Sequence, residues 1–324
     1  MPDAILTGLD THPRHAFPFL WADYVELLTL CSMDGQFSRG QLEESAQEGG
    51  ELQIDNDAEE HTATSSEEAD DAVSKRWDDI KARLRQRQAS YPVWPFEMDG
   101  NVLRRTFDPA DAGHRLYAAL LVASCLRLCS KTRSAEVTTA FEEISCLLLR
   151  QTLPAGWEVR AFGAHQQFAQ GYQGKLYEKL QQLAQDVQGK LHKNEDAFDT
   201  RNTGDGSIDL AAWLNLGDQR GNIPVILAQC ACSPTDWEYK QLQVTGAATE
   251  SLIRIDHPPA AYCFVPHDLY KSDQYWDRSE HVHRVVLIDR KRLLHLATSG
   301  NALDNMPMWS FVQEAADLRY NVNA

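Results

Sequence analysis

The stretch Asn202 to Lys240, NTGDGSIDLAAWLNLGDQRGNIPVILAQCACSPTDWEYK, predicts two strands joined by a polar loop. A glycine-rich turn leads into the first strand, Ile208 to Trp213, and places Asp209 at its start. The second strand, Ile223 to Cys232, is apolar and rich in β-branched residues. Its one polar residue is Gln229. Because β-branched apolar runs bounded by turns are typical of buried strands, the stretch predicts a hairpin of two apolar strands.

Alternation along the second strand decides which side chains meet. Successive residues point to opposite faces, so Gln229 and Ala231 share one face, and Cys230 and Cys232 share the other. An acid on one strand and an amide on its hairpin partner could together hold a divalent cation, because Mg²⁺ prefers oxygen ligands. A cation with few protein ligands keeps positions open for water and phosphate.

These motifs resemble the core of the PD-(D/E)XK nucleases, especially the Mrr-type restriction endonucleases. There, a G-x-G-hydrophobic-D turn precedes a strand that ends in (E/Q)-x-K. Here the turn reads GDGSID at 204–209, and the strand ends in QCA at 229–231. An uncharacterised bacterial group in that superfamily, with a GxDxxAW…QCAxxxxxW pattern, is more similar still: DLAAW at 209–213 and QCACSPTDW at 229–237 fit it. The resemblance covers roughly residues 136–296.

The resemblance implies an α/β (α+β) fold in which helices flank a mixed sheet. It also implies an Mg²⁺ or Mn²⁺ site with Asp209 and Gln229 among its ligands. The motif lysine is missing, because Ala231 occupies its position. Some members of the superfamily take that lysine from the following helix, and Lys240 in the WEYK segment is the candidate for this role.

A further acid is expected from the helix predicted over 135–151. Its main apolar stripe excludes Glu142, whose neighbours one and two turns later are also apolar. Glu143 instead shares its face with charged residues and is expected in solvent. In the resembled superfamily a first-helix F-E acid can join the metal site, and Phe141-Glu142 matches that motif. The alternative is a partly exposed acid on a helix edge.

The 324 residues carry a net charge of −16, and this charge is unevenly distributed. Residues 41–74 contain twelve acids and no lysine or arginine, which leaves about −4 for the rest. Their composition predicts a disordered acidic loop at about 43–72. The overall charge therefore neither favours nor excludes a local basic groove for nucleic acid.

Two domains are expected from the length: a mainly helical N-terminal module over 1–130 and a nuclease-like domain over 131–324. Residues 1–16 are predicted to form a loose arm. Helix candidates at 17–31 and after Ser38, whose Ser-x-x-Gln sequence forms a capping box, precede a hairpin candidate at 96–106. They favour either a winged or helix-turn-helix module or an ordinary helical hairpin.

The resemblance implies a metal-dependent DNA endonuclease in restriction or anti-phage defence. It is compatible with an ATPase or helicase partner and with a homo-oligomer. The alternative is an inactive nuclease-fold protein that acts as a DNA-binding or scaffold subunit. A third interpretation is a regulatory protein whose acidic loop blocks its own groove. No transmembrane helix or signal peptide is predicted, and the seven cysteines are expected to be reduced and buried, as in a cytoplasmic protein.

Overall fold

The computed structural model describes residues 3–14, 17–48, 66–162, 171–198, 204, 206–272 and 275–321. It divides the chain into a first unit, Met1–Val137 with Leu303–Ala324, and a second unit, Thr138–Ala302. The predicted division at 130/131 differs from this one in assigning the C-terminal segment to the second domain. That segment belongs to the first unit because the N–H of Tyr320 donates to Cys31 O at 2.8 Å and Arg105 Nη1 donates to Ala316 O at 3.0 Å.

The first unit begins with seven elements in chain order: α1 (Pro18–Cys31), β1 (Gln36–Ser38), α2 (Arg39–Glu48), α3 (Ser66–Ser90), β2 (Phe96–Asp99), β3 (Val102–Arg105) and α4 (Ala112–Ser124). Strands β1–β3 form an antiparallel sheet in the order β1-β3-β2. The predicted hairpin turns at Gly100, whose φ of 61° suits glycine. Strand β1 lies between α1 and α2 and pairs with β3, so it joins the hairpin to the helical segment, and a winged or helix-turn-helix module stays a prediction.

Two predictions for the N-terminal region need correction. The arm is not loose over its described length: Ile5, Leu6 and Leu9 are buried, and the N–H of Ser130 donates to Ile5 O at 2.9 Å. The acidic loop predicted at 43–72 overlaps two helices, since α2 runs to residue 48 and α3 begins at residue 66. The capping box contributes to this, because Gln41 Oε1 accepts from the N–H of Ser38 at 2.9 Å. Residues 49–65 lie outside the described ranges.

The second unit contains the following elements: α5 (Ser134–Thr152), which starts just before the unit boundary, β4 (Trp157–Ala161), α6 (Leu176–Asp186), β5 (Lys190–Leu191), β6 (Leu210–Leu214), β7 (Val225–Cys230), α7 (Trp237–Gln243), α8 (Gly246–Thr249), β8 (Ile253–Arg254), β9 (Ala260–Phe264), β10 (Tyr270–Ser272), β11 (Tyr275–Trp276), β12 (Val286–Ile288) and α9 (Arg290–Ser299). Helix α10 (Ser310–Ala316) belongs to the first unit. Helices α7 and α8 are separated at the poor helix formers Val244 and Thr245.

A five-stranded sheet in the order β12-β9-β7-β6-β4 is the centre of the second unit. Strands β7, β9 and β12 are parallel, whereas β6 is antiparallel to both β4 and β7. The sheet is therefore mixed, and the prediction of a mixed α/β fold with helices around the sheet is confirmed at that level. All seven cysteines are buried and free of disulfides. No helix in the described ranges is both long and apolar enough to cross a membrane.

Helix α6 covers one face of this sheet with its apolar stripe. Leu176, Leu180 and Leu183 lie in one buried cluster with the odd-numbered residues of the hairpin strands, among them Ala211 and Leu227. Residues two apart on a strand share a face, so Asp209 and Gln229 belong to this same face. The face covered by α6 is therefore the face that carries the motif side chains.

Asp289 at the start of α9 provides a stability prediction. Burial, followed by the nearby Asp268, raises the pKa of its carboxyl to about 7, although the N–H and charge of Arg292 and the N–H of Leu269 act in the opposite direction. The fold therefore binds a proton that the unfolded chain releases between about pH 4 and 7, and wild-type stability falls as the pH rises through that window. We expect Asp289→Asn, which cannot ionise and still caps the helix, to exceed wild-type stability at pH 8 by on the order of 2 kcal/mol. Urea unfolding at pH 5 and pH 8 measures this, and a difference that does not grow with pH would contradict it.

Candidate functional site

The glycine-rich turn before Asp209 has an unusual backbone. Gly206 and Ser207 are consecutive residues with positive φ, 60° and 65°. Glycine adopts this conformation at little cost, but serine does so rarely, and such strained residues cluster at functional sites. Asp205, the other acid of the turn, lies outside the described residues. The turn thus delivers Asp209 to the sheet at the price of local strain.

Hydrogen bonds on both sides hold the Asp209 backbone in the sheet. Its N–H donates to Ala228 O at 2.9 Å, and its carbonyl accepts from the N–H of Phe162 at 2.7 Å. The register of β6 and β7, in which Leu210 pairs with Ala228, sets Asp209 opposite Gln229. The two side chains therefore start from neighbouring positions on one face of the sheet.

The carboxylate of Asp209 and the amide of Gln229 are in direct contact. Asp209 Oδ2 accepts from Gln229 Nε2 at 2.7 Å and from the N–H of Cys230 at 2.6 Å. Both side chains are nearly inaccessible, with relative exposures of 3% for Asp209 and 4% for Gln229. The structure thus brings together the acid and the amide that the sequence singled out.

Gln229 also has an unused acceptor. Its Oε1 atom is buried and has no hydrogen-bond partner among the described residues. An unsatisfied buried oxygen costs about 1–3 kcal/mol, so its persistence beside a carboxylate requires an explanation. A cation or a donor group from a ligand would satisfy this oxygen.

Glu142 and Lys240 lie within electrostatic range of the same strand ends. Burial raises the pKa of the Cys230 thiol well above its usual value, and the charges of Asp209 and Glu142 raise it further. Burial also raises the pKa of Cys263 to about 12; Asp209 adds to that shift, whereas Lys240 opposes it. Each cysteine therefore senses Asp209 together with one of the other two charged candidates.

Glu142 and Glu143 on α5 were predicted to differ in solvent exposure, and this prediction holds only in part. Glu142 is half-buried, as its apolar neighbours suggested, but Glu143 is half-buried too and does not lie on an ordinary solvated face. Lys240, on the short helix α7, is half-buried as well. The sequence pattern alone did not separate the two glutamates.

Ala231 occupies the position at which the motif lysine is expected. It is fully buried, and its N–H donates to Phe264 O at 2.9 Å just beyond the end of β7. A lysine at this position would have to bury an ammonium unless other groups paired with it. The positively charged side chain expected at the site must therefore come from another helix or strand.

A second lysine at the site was not identified from the sequence. Lys179 on α6 is only 1% exposed, and its Nζ donates to Gly204 O at 3.2 Å, in the turn that leads to Asp209. The same Nζ lies 5.9 Å from the centre of the Phe162 ring. One sequence feature could have identified Lys179: it lies next to the apolar stripe of Leu176, Leu180 and Leu183, where an amphipathic helix rarely places a lysine.

The donor set can be tested against the cation implied by the resemblance. Within the described residues, no three His, Cys, Asp or Glu side chains are grouped as a metal centre would require. The candidate ligands are therefore two carboxylates, from Asp209 and Glu142, and the amide oxygen of Gln229. Oxygen donors of this kind suit Mg²⁺ and Mn²⁺ rather than zinc, and the unsatisfied Gln229 Oε1 fits a cation ligand.

Comparisons of the chain with protein-family models, with curated proteins and with solved structures found no match.

Proposed function

We propose that the second unit is a metal-dependent endonuclease of the PD-(D/E)XK type that hydrolyses phosphodiester bonds in DNA. The observation that carries this proposal is the buried contact between Asp209 and Gln229, with a spare oxygen on the amide. A mixed sheet with flanking helices supports the same assignment. By the resemblance, the setting is restriction or anti-phage defence, with an ATPase or helicase as the expected partner class.

Each candidate residue has a defined task in this proposal. Asp209, Glu142 and Gln229 Oε1 hold an Mg²⁺ or Mn²⁺ ion, which supplies Lewis acidity toward a phosphate when it is bound. Gln229 orients the Asp209 carboxylate through the bond from its Nε2. Lys240 stabilises the negative charge that develops on the phosphate during hydrolysis. With an amide in place of a second strand carboxylate, the site carries less negative charge, so we expect metal affinity to be weak.

Low accessibility favours a second candidate function. A phosphodiester must reach the metal ligands, yet Asp209 is 3% exposed and Gln229 is 4% exposed. An inactive nuclease-fold subunit, which binds DNA or serves as a scaffold, needs no such access. The buried Ala231 at the lysine position favours it as well. The endonuclease and the inactive subunit differ in one measurable property, which is whether the protein binds a divalent metal.

In the first unit, the charges on α3 and on the β2–β3 hairpin favour a protein partner rather than DNA. The exposed cations of these elements, among them Lys75, Arg85 and Arg104, are accompanied by the exposed acids Asp71, Asp78, Asp79, Glu97 and Asp99. Because phosphate binding draws most of its affinity from clustered positive charge, a balanced surface of this kind is poorly suited to a duplex. We therefore assign partner recognition to the first unit.

The function is tested with the full-length protein, supercoiled plasmid and either Mg²⁺ or Mn²⁺, with a chelator as the negative control. Nicking or linearisation that depends on the metal is expected, and calorimetric titration should reveal a weak Mn²⁺ site. Cleavage that persists in the chelator would reject the proposed chemistry. Metal binding without cleavage would point to a trigger or partner, whereas neither binding nor cleavage at millimolar metal would favour the inactive scaffold.

A separate experiment tests which lysine supplies the positive charge at the site. We expect Lys240→Gln to lower the cleavage rate by about a hundredfold, because it removes the positive charge assigned to the transition state. The matched variant is Lys179→Gln, on α6, which should change the rate less. If the two effects are reversed while both variants keep the wild-type melting temperature, the catalytic charge comes from Lys179 instead.

A further inference from the structure

A separate cavity of about 290 Å³ opens in the second unit between α9 and the hairpin β10–β11. Its lining combines three aromatic residues with basic and acidic side chains: Tyr270, Tyr275, Trp276, Asp289, Lys291, Arg292 and His295, together with Ser272. Ligand pockets commonly measure roughly 300–1,000 Å³, so this cavity suits a small ligand. Aromatic faces beside cations are suited to a planar group that carries negative charge.

The aromatic side of the cavity is built for stacking. Tyr275 is 61% exposed although it belongs to a short strand that lines the cavity. Arg292 Cζ lies 4.5 Å from the centre of the Trp276 ring, and Lys291 Nζ lies 3.2 Å from the centre of the Tyr270 ring. Each cation therefore covers one face of its ring, and the exposed Tyr275 is the aromatic residue on which a base can stack. A nucleobase stacks on such rings irrespective of its identity.

The basic side of the cavity has an electrostatic arrangement that favours an anion. Helix α9 begins Arg290-Lys291-Arg292, and the acid at its N-terminus is the capping residue Asp289. Cations stabilise helix C-termini and are unfavourable at N-termini, where the helix dipole is positive. An anion at this end would interact favourably with the dipole and with the two cations that line the cavity.

Asp289 gives an independent reason to expect a ligand in the cavity. It is 1% exposed and lines the cavity, and its Oδ1 accepts from the N–H of Arg292 at 3.1 Å. Its Oδ2 accepts no hydrogen bond of normal geometry in the described part of the chain, although the N–H of Leu269 interacts with the carboxyl group. An N–H group on a ligand would satisfy this acceptor, and the exocyclic amines of adenine, cytosine and guanine are such donors.

The position of the cavity relates it to the candidate metal site. Asp289 directly follows β12, and Gln229 lies near the end of β7. Because β7, β9 and β12 are parallel, their carboxyl ends meet at one edge of the sheet. Gln229 and Asp289 are thus two strands apart, which corresponds to roughly 10 Å across the sheet.

We propose that this cavity binds one nucleotide, with its base stacked on Tyr275 and paired to Asp289, and its phosphate at Lys291 and His295. The ligand chemistry is a nucleobase with an exocyclic amine joined to a phosphate. A free mononucleotide and a nucleotide within a DNA strand share this chemistry. That the nucleotide belongs to the cleaved strand rests on the proposed function, but the binding itself does not.

Nucleotide binding is measured by calorimetry on the full-length protein with AMP, CMP, GMP and UMP, and with a single-stranded hexanucleotide. Saturable binding with UMP the weakest is expected. Tyr275→Ala and Lys291→Gln should each weaken binding by about fivefold or more, as losses of stacking and charge do. The exposed Tyr239→Ala and Arg284→Ala, outside the cavity, serve as matched controls and should bind like the wild type.

The outcomes separate this proposal from the endonuclease proposal. Asp209→Asn should bind nucleotide with unchanged affinity whether or not the wild type cleaves DNA. Hexanucleotide affinity well above mononucleotide affinity would identify a strand as the source, and the reverse would identify a free nucleotide. No saturable binding of any of the five ligands at millimolar concentration would overturn the proposal, as would equal affinities for the cavity variants and their controls.

Discussion

Replacing Asp209 with asparagine is expected to lower metal-dependent DNA cleavage by at least about a hundredfold without unfolding the protein. Asparagine has nearly the same shape, and its amide oxygen can still accept the bonds that Oδ2 receives from Gln229 Nε2 and the N–H of Cys230. Only the negative charge is lost, and that charge is what a divalent cation binds most strongly. Plasmid cleavage at a series of Mn²⁺ concentrations measures the effect.

The control for this prediction is Asp256→Asn, which changes an exposed acid of the second unit. It should retain the wild-type cleavage rate. The stability of both variants is followed by thermal unfolding with and without Mn²⁺. We expect Mn²⁺ to raise the melting temperature of the wild type and of Asp256→Asn, and not that of Asp209→Asn. Wild-type activity in Asp209→Asn would reject the metal site and the endonuclease proposal.

The second large effect concerns the first unit, where Arg87→Ala should destabilise the fold by about 3–5 kcal/mol. Arg87 Nη2 pairs with Asp23 at 2.7 Å and Nη1 lies 2.8 Å from Glu26, and all three side chains are 0% exposed. Glu26 also accepts from Trp94 Nε1 and from the hydroxyl of Tyr117, both at 2.7 Å. Without the guanidinium, two buried carboxylates remain uncompensated, which costs far more than the net value of the pair.

Arg85→Ala, two residues earlier on the exposed side of α3, is the matched control and should change the free energy of unfolding by less than about 0.5 kcal/mol. Chemical unfolding followed by far-UV circular dichroism measures both variants. Adding Asp23→Leu to Arg87→Met should recover part of the stability that Arg87→Met loses, because a buried unpaired charge is removed. Equal effects at positions 85 and 87 would show that the buried network contributes little.

Local patterns predicted most elements of the second unit. The helix expected at 135–151 occurs at Ser134–Thr152, and the alternating WEVRAF segment forms β4. The hairpin of β6 and β7 follows from two apolar runs around a polar loop. In such segments side-chain periodicity and turn residues act over a few neighbouring positions, so the sequence carries the information directly. Helix α6 spans only Leu176–Asp186, although the apolar cluster that it joins extends beyond both of its ends to Tyr172 and Val187.

Tertiary contacts were needed for three features. The sequence of Leu303–Ala324 does not reveal that it joins the first unit, since that depends on a partner more than 200 residues away, Arg105 donating to Ala316 O. The acids Asp23 and Glu26 are buried in an apolar helix, and their counter-charge comes from Arg87 on another helix. The nucleotide cavity joins β10, β11 and α9, none of which carries a recognisable motif.

By itself, the sequence determined the hairpin, the glycine-rich turn before Asp209 and the face that Gln229 shares with Ala231, because these depend on strand alternation and short-range turn chemistry. Only the tertiary structure decided which side chains are buried together: the bond between Asp209 and Gln229, the burial of Lys179, and the meeting of Asp289 with an aromatic hairpin. The physical reason is that burial and pairing of charge depend on contacts between elements distant in the chain, and one-dimensional periodicity does not encode those contacts.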